Sequence, residues 1–409
     1  MRKPGVVDEG FNPFAPGFTD DPYPFYAAVR DQGRMHRSAF GPLVLSHHED
    51  CFALLRQPGT SVDERNVVGA AYPAAEMRRR EPDQRSLLGL DPPDHTRLRR
   101  LVASAFTVRT VDRLRPQVRA LVGGLLDDLA AAAREGEPVD LIAGYAFPLP
   151  FAVISDLLGM PEGNRSELRD WSQAMTATLE PIIDDATAAR ADAAAEKMFT
   201  HIADAIAWKR AEPADDLLSA LIAAEEDGDR LSPEELSMQV ALLYLAGHET
   251  TVNLIGNGTL ALLRHRDQLE RLVADPSLDA DAVDELLRYD SPVQLSRRIT
   301  LTEMEVAGEP VPPGELVMTL LGSCNRDESR WGPTAADLDL GREGAGAHLA
   351  FGSGIHHCLG AALARLEGAE AVPALVRRFP ALELATDAPS WNGRIVLRGL
   401  TTLPVTLAA

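Results

Sequence analysis

F-G-S-G-I-H-H-C-L-G, Phe351 to Gly360, is the stretch that decides how this chain folds. It holds one cysteine, Cys358, between a glycine-punctuated turn and an apparent helix start, A-A-L-A-R-L from Ala361 to Leu366. Gly352 and Gly354 let the backbone turn tightly and approach a flat ligand. The helix brings the positive end of its dipole near the sulfur, a setting that favours thiolate over thiol. No second cysteine or ligand histidine stands at zinc spacing. The sulfur therefore suits one strong axial bond to a haem iron better than a tetrahedral metal. A cysteine beside a glycine turn is, taken alone, ordinary buried packing; its neighbours decide otherwise.

Phe351, Gly354, His356, Cys358 and Gly360 match the cysteine-ligand signature of the cytochrome P450 superfamily of haem-thiolate monooxygenases, which this chain resembles. The resemblance implies a mainly α (α+β) fold, a helix-rich single domain over residues 1–409 with a smaller β-rich region. It also implies haem b (iron protoporphyrin IX) as cofactor. Cys358 would be its axial metal ligand, with Phe351, Gly352, His356 and Gly360 around it.

The length of 409 residues would by itself allow two or three domains. No repeat, low-complexity segment or linker-like run divides it, and the resemblance argues for one. With 61 acidic against 40 basic residues the formal charge is -21, so wrapping nucleic acid is excluded. The N-terminus M-R-K-P-G-V-V-D-E-G has no apolar core of a signal or anchor. The uncharged apolar run Leu141 to Ile154 is short of a membrane span and is broken by Pro148 and Pro150. No membrane partner and a cytoplasmic location are expected. Cys51, Cys324 and Cys358 are too few and scattered for a disulfide framework and fit a reducing compartment.

Along the chain, a helix is expected near Tyr23 to Asp31, strand-like pieces at Gly41 to Ser46 and a helix at Glu49 to Leu55. Pro58 to Leu90 is polar and hard to assign, and Arg78, Arg79 and Arg80 read as a solvated charge run. D-P-P-D-H-T-R-L-R-R, Asp91 to Arg100, opens a helix behind two prolines. His95 and Arg99 share a face one turn apart, and the resemblance makes them a grip on the haem carboxylates. Helical periodicity then dominates to about Ala224, including Val111 to Ala133 and Leu141 to Leu158. Ser166 to Arg210 resembles the family's lid helices.

Ser232-Pro233-Glu234-Glu235 forms a helix start with an N-cap serine and a capping-box glutamate, and the helix pattern runs to about His265. Midway lies A-G-H-E-T-T, Ala246 to Thr251, an acid and two hydroxyls in an otherwise apolar helix. It reads either as a solvated polar stripe or as a site. It resembles the family's oxygen-activation motif, in which Glu249 and Thr250 would hold the catalytic role. Leu242, Leu245 and Ala246 share a face, and with Val293, Leu295 and Leu397 suggest an apolar substrate pocket. Glu285 and Arg288, one turn apart, are a structural pair by resemblance. Arg298 falls in the slot of another haem carboxylate partner, with Arg297 as a competitor. Cys324 reads as buried packing within a turn, and Ile299 to Leu321 as a small sheet. Trp391 to Arg394 reads as a turn between strands. The chain departs from the family at A-A-D-L-D, where relatives carry an arginine, so Arg330 or Arg342 would have to complete the Glu285–Arg288 lock.

The resemblance implies an enzyme that puts one atom of O2 into an apolar small molecule, by hydroxylation or epoxidation, and reduces the other to water. Electrons would come from a ferredoxin and its NAD(P)H-dependent reductase, docked near Arg97, Arg100 and Arg365. A peroxide-using haem-thiolate enzyme and a non-catalytic haem protein are the alternatives. The Glu249–Thr250 pair counts against the first, and the second would need neither that pair nor an apolar pocket.

Overall fold

The apolar periodicities become helices along most of the chain. The computed structural model describes residues 11–407 apart from 39, 69–84, 106, 134–136, 162–164 and 227–228. The arginines at 78–80 thus lie outside the described residues. In order the helices are α1 (Tyr23–Gln32), α2 (His48–Arg56), α3 (Asp94–Ala105), α4 (Val108–Arg113), α5 (Arg115–Ala132), α6 (Pro148–Leu158), α7 (Arg165–Thr176), α8 (Asp185–Ala211), α9 (Leu217–Ala223), α10 (Pro233–Arg264), α11 (Arg266–Ala274), α12 (Asp279–Tyr289), α13 (Leu321–Cys324), α14 (Glu328–Trp331) and α15 (Ala361–Arg378). None is long and apolar enough to cross a membrane.

Two expected helices are each divided, and proline is the reason in both. Pro116 has no N–H to donate and crowds the carbonyl one turn back, so the Val111 to Ala133 pattern breaks at Leu114 between α4 and α5. The Leu141 to Leu158 pattern begins as a single π turn, Ile142–Ala146, and becomes α-helical only where Pro148 enters the first turn of α6.

The strands are β1 (Met35–Arg37), β2 (Leu43–Leu45), β3 (Thr60–Ser61), β4 (Val139–Asp140), β5 (Glu225–Glu226), β6 (Asp229–Arg230), β7 (Ser296–Thr300), β8 (Met304–Val306), β9 (Glu309–Val311), β10 (Leu316–Thr319), β11 (Glu383–Leu384), β12 (Ser390–Trp391), β13 (Leu400–Thr402) and β14 (Pro404–Thr406). The largest sheet runs β1-β2-β10-β7-β3, with β10 parallel to β2 and its other pairs antiparallel. In β7, Arg298 pairs with Val317 and Arg297 with Met318. Successive side chains on a strand point to opposite faces, so this register sends the two arginines apart.

Helix α10 is the spine. Ser232 Oγ accepts from the Glu235 N–H at 3.1 Å while Glu235 accepts from the Ser232 N–H at 2.9 Å, the reciprocal cap the sequence spells. The helix packs against α6, α8, α12 and α15. Gly247 lets α6 close in, since a Cβ there would stand 2.9 Å from Ile154.

Behind the cysteine loop, Glu285 and Arg288 are fully buried and joined by two hydrogen bonds of 2.7 and 2.8 Å. Arg288 also donates to the carbonyls of Asn325, Ala335 and Asp337. Arg342, not Arg330, completes the lock, its Nε 3.2 Å from Glu285 and its Nη2 donating to the Thr334 and Asp337 carbonyls. A segment running A-A-D-L-D supplies backbone oxygens where a side chain was expected.

Candidate functional site

The cysteine loop is shaped by two glycines in the left-handed region, Gly352 at φ 66° and Gly354 at φ 73°. A Cβ on Gly354 would lie 2.4 Å from the Leu55 carbonyl oxygen, so no other residue fits there. The Cys358 N–H donates to the Phe351 carbonyl at 2.9 Å, closing the loop, and α15 starts three residues later. Cys358 is exposed in the isolated chain yet surrounded by protein, as an atom at the floor of a recess is. Burial pushes its thiol up, against the Gly360 N–H and the charges of Arg99 and Arg365, which pull it down. A coordinated metal deprotonates a thiol outright, so the ionised form belongs to the loaded protein.

Beside the loop, donors converge without a carboxylate among the described residues. The His95 and His356 rings lie 4.2 Å apart between centroids. His95 is only 1% exposed, and neither of its ring nitrogens has a hydrogen-bond partner. Arg298 bonds just two carbonyls, Arg297 at 2.7 Å and Leu55 at 3.4 Å. Arg99 donates to the His357 carbonyl at 2.6 Å. Among the described residues no carboxylate hydrogen-bonds any of the four. Arg297 is turned away and paired with Glu64, which ends its competition for this role. Burial first, then the charges of His95, Arg298 and Arg99, push His356 down to about 3, and burial takes Arg298 down to about 10. Two neutral histidines and two cationic arginines facing a common space, with buried donors unmatched, fit the anionic edge of a flat tetrapyrrole.

On α10, Ala246 is exposed and the Thr250 hydroxyl donates to the Ala246 carbonyl at 2.9 Å. Thr251 reaches Gly247 only at 3.5 Å. Glu249 is buried and points the other way, its Oε1 3.5 Å from Arg394 Nη1. That arginine also donates to Thr176 Oγ1 at 2.9 Å and to the Gln173 carbonyl at 2.8 Å, both on α7. Outside it opens a recess of about 330 Å³ lined by Asp170, Gln173, Thr187 and Arg190, with Arg394 as its inner wall. The acid is thus paired with a guanidinium that also lines this outer recess.

Of the expected pocket residues, Leu242 and Leu245 are partly buried against the main core, and Val293 bridges to Leu397 across a strand-like pair. Leu295 instead packs among Phe11, Phe18 and Tyr26, away from α10. The expected basic docking patch is not assembled from free charges: Arg97 is paired with Glu235 and Arg365 with Asp284.

Two residues of consequence carried no signal in the sequence. Arg394 was read only as part of a turn. Arg398 bonds Asp290 at 2.9 Å and the carbonyls of Thr19 and Asp20, while its own carbonyl accepts from Asn257 of α10. Nothing local marks either one, because their partners lie far away in sequence.

The family profile described as Cytochrome P450 matches residues 42–275 and 276–398. A "Vitamin D(3) 25-hydroxylase" of Pseudonocardia autotrophica is 42% identical over 96% of both chains. The "Cytochrome P450 monooxygenase PikC" of Streptomyces venezuelae is 41% identical over 98% of this chain and 94% of its own. Among solved structures, the bacillaene polyketide synthase cytochrome P450 PksS of Bacillus subtilis superposes with TM-score 0.86 at 36% identity, covering 98% of this chain and 100% of that one. A myxobacterial cytochrome P450 crystallised with myristic acid reaches 0.88 at 38% identity, over 97% and 99%.

Proposed function

This chain belongs to the cytochrome P450 family, binds haem b and is a monooxygenase, and from that premise we propose how its residues divide the work. Cys358 would hold the haem iron through its thiolate, His95, Arg99, Arg298 and His356 would hold the haem carboxylates, and Ala246, Phe351, Gly352 and Gly360 would border the cofactor. The chain acts as one domain, in the cytoplasm. The bound haem supplies dioxygen activation, and the thiolate supplies the electron push that favours O–O cleavage.

The chain's own groups seat the cofactor and manage water and protons. Neutral His95 and His356 donate ring N–H groups, and the two arginines carry the compensating charge. Thr250 spends its proton on the Ala246 carbonyl, which leaves its oxygen lone pairs free to order a water molecule. Glu249 Oε1, released from Arg394, takes a proton from the outer recess and swings it toward Thr250. The observation that carries this reading is the position of Glu249, one residue from Thr250 and paired with the arginine that lines the outer recess. A reaction that reduces one oxygen atom to water consumes protons and needs such a route. Direct use of peroxide does not.

The substrate is an apolar organic molecule, hydroxylated or epoxidised beside Leu242, Leu245, Val293 and Leu397. The electrons come from a ferredoxin and its NAD(P)H-dependent reductase. The test is product formation with that chain of carriers and no added peroxide, together with the red-shifted absorption of the reduced, carbon monoxide-bound protein. Cys358→His should abolish that band. A band that survives the change removes Cys358 from the axial position.

A further inference from the structure

Between α12, α15 and the cysteine loop, a chain of contacts serves neither the haem carboxylates nor the proton route. His348 has a fully buried side chain, and its Nδ1 accepts the N–H of Ala350 at 3.1 Å. That bond fixes the tautomer. The proton must sit on Nε2, which donates to Asp284 Oδ1 at 3.1 Å. Burial acts to raise the Asp284 carboxyl, but the bonds from His348 and Arg365 outweigh it and hold the group below its ordinary value. The same oxygen accepts from Arg365 Nε at 2.8 Å. The Arg365 guanidinium lies 4.7 Å above the Phe351 ring, and the Phe351 carbonyl receives the Cys358 N–H. Asp284 is also wedged by the loop it serves, since a Cβ on Gly346 would stand 3.1 Å from its Oδ2.

The charges in this assembly matter because they sit against the ligand loop. Arg365 lies over the Phe351 ring, whose residue's carbonyl holds the Cys358 N–H, and Asp284 carries the opposing charge at hydrogen-bond distance from Arg365. His348, neutral in this tautomer, anchors the acid without adding to the balance. The pair is therefore poised to cancel at the sulfur.

We propose that Asp284, anchored by His348, is a positioning residue that fixes the Arg365 guanidinium over Phe351 and neutralises its field at Cys358, setting the reduction potential of the iron. This rests on the axial assignment of Cys358. Reduction adds one electron to the centre, so uncompensated positive charge nearby favours the reduced form and uncompensated negative charge opposes it. A unit charge beside the ligand loop, in partly screened surroundings, moves the ferric–ferrous equilibrium on the order of threefold to tenfold, the upper end being about 59 mV.

The test is a spectroelectrochemical titration of the haem-loaded protein and three variants. Asp284→Asn should shift the equilibrium toward the reduced form, and Arg365→Gln toward the oxidised form. The double variant should return close to the parent. Loosened packing would move both single variants in the same direction, and shifts of one sign, or none, would overturn the proposal. Each variant is first checked for the red-shifted carbon monoxide band. Absence of that band in the parent protein defeats the assignment of Cys358; a normal band with an unmoved potential defeats only the role of Asp284. Should Asp284→Asn fail to load haem, Arg365→Gln alone decides the matter, because the proposal requires its potential to fall.

Discussion

Thr250 shows what a single hydroxyl does when its proton is committed elsewhere. It binds no metal and fills little volume, so Thr250→Ala should leave haem content, the carbon monoxide spectrum and substrate affinity nearly intact. Coupling should suffer, with more hydrogen peroxide released per product at a similar rate of oxygen use. Product and peroxide per reductant oxidised measure this, and unchanged coupling would shift the proton route to Thr251 or to the substrate. Glu367 on α15 is the opposite case, a carboxyl 0% exposed whose two oxygens lack any partner among the described residues. Burial raises it well above the ordinary value. The folded protein therefore binds this proton more tightly than the unfolded chain does, and stability from the group is lost as pH rises above the unfolded value of about 4.3. Glu367→Gln should match the parent near pH 4 and become progressively more stable than it above that, by at most about 1.4 kcal/mol per pH unit. Parallel denaturation curves from pH 5 to 8 would mean that the carboxyl has found a charge-stabilising environment.

At the scale of elements, legibility followed how local the cause is. The Ser232–Glu235 cap could be read because all its partners lie within one turn, and the structure reproduces it. Ser232→Ala should cost about 1 kcal/mol, seen as a lower thermal midpoint with an unaltered carbon monoxide band. The cysteine loop was equally legible, since glycines at φ > 0 announce themselves. Arg394 was not, because it meets Glu249 across 145 positions of sequence. The choice between Arg297 and Arg298 depended on the register of β7 against β10, which no single strand reveals. The packing of Leu295 among Phe11, Phe18 and Tyr26 was not legible for a related reason: apolar character says that a side chain is buried, not against what.

For the whole molecule, the buried lock around Glu285 is the joint between α12 and the segment leading to the cysteine loop. Arg288→Ala would leave a carboxylate with 0% exposure only Arg342 and the Asp339 N–H, and should cost on the order of 3–5 kcal/mol, with haem retention failing well before secondary structure is lost. Arg342→Ala leaves Arg288 and the Asp339 N–H on the same carboxylate and should cost only about 1.5–3 kcal/mol. Denaturant titration of both variants checks the order, and equal losses would mean that Arg342 carries as much of the joint as Arg288. The family signature could be recognised without this joint because its residues act locally, whereas the substitute arginine lies 57 positions from its acid.

Arg398 has a consequence for the order in which the molecule can be made. Its guanidinium reaches the Thr19 carbonyl across 379 positions, and its backbone oxygen takes the amide of Asn257. During synthesis the first-made end leaves the ribosome long before the side chain that will hold it exists. The N-terminal lead, the end of α12 at Asp290 and the middle of α10 must all await the same late residue. A message truncated just before codon 398 would release a chain lacking one partner at three distant places at once, and quality-control proteases would meet it as unfinished along its whole length.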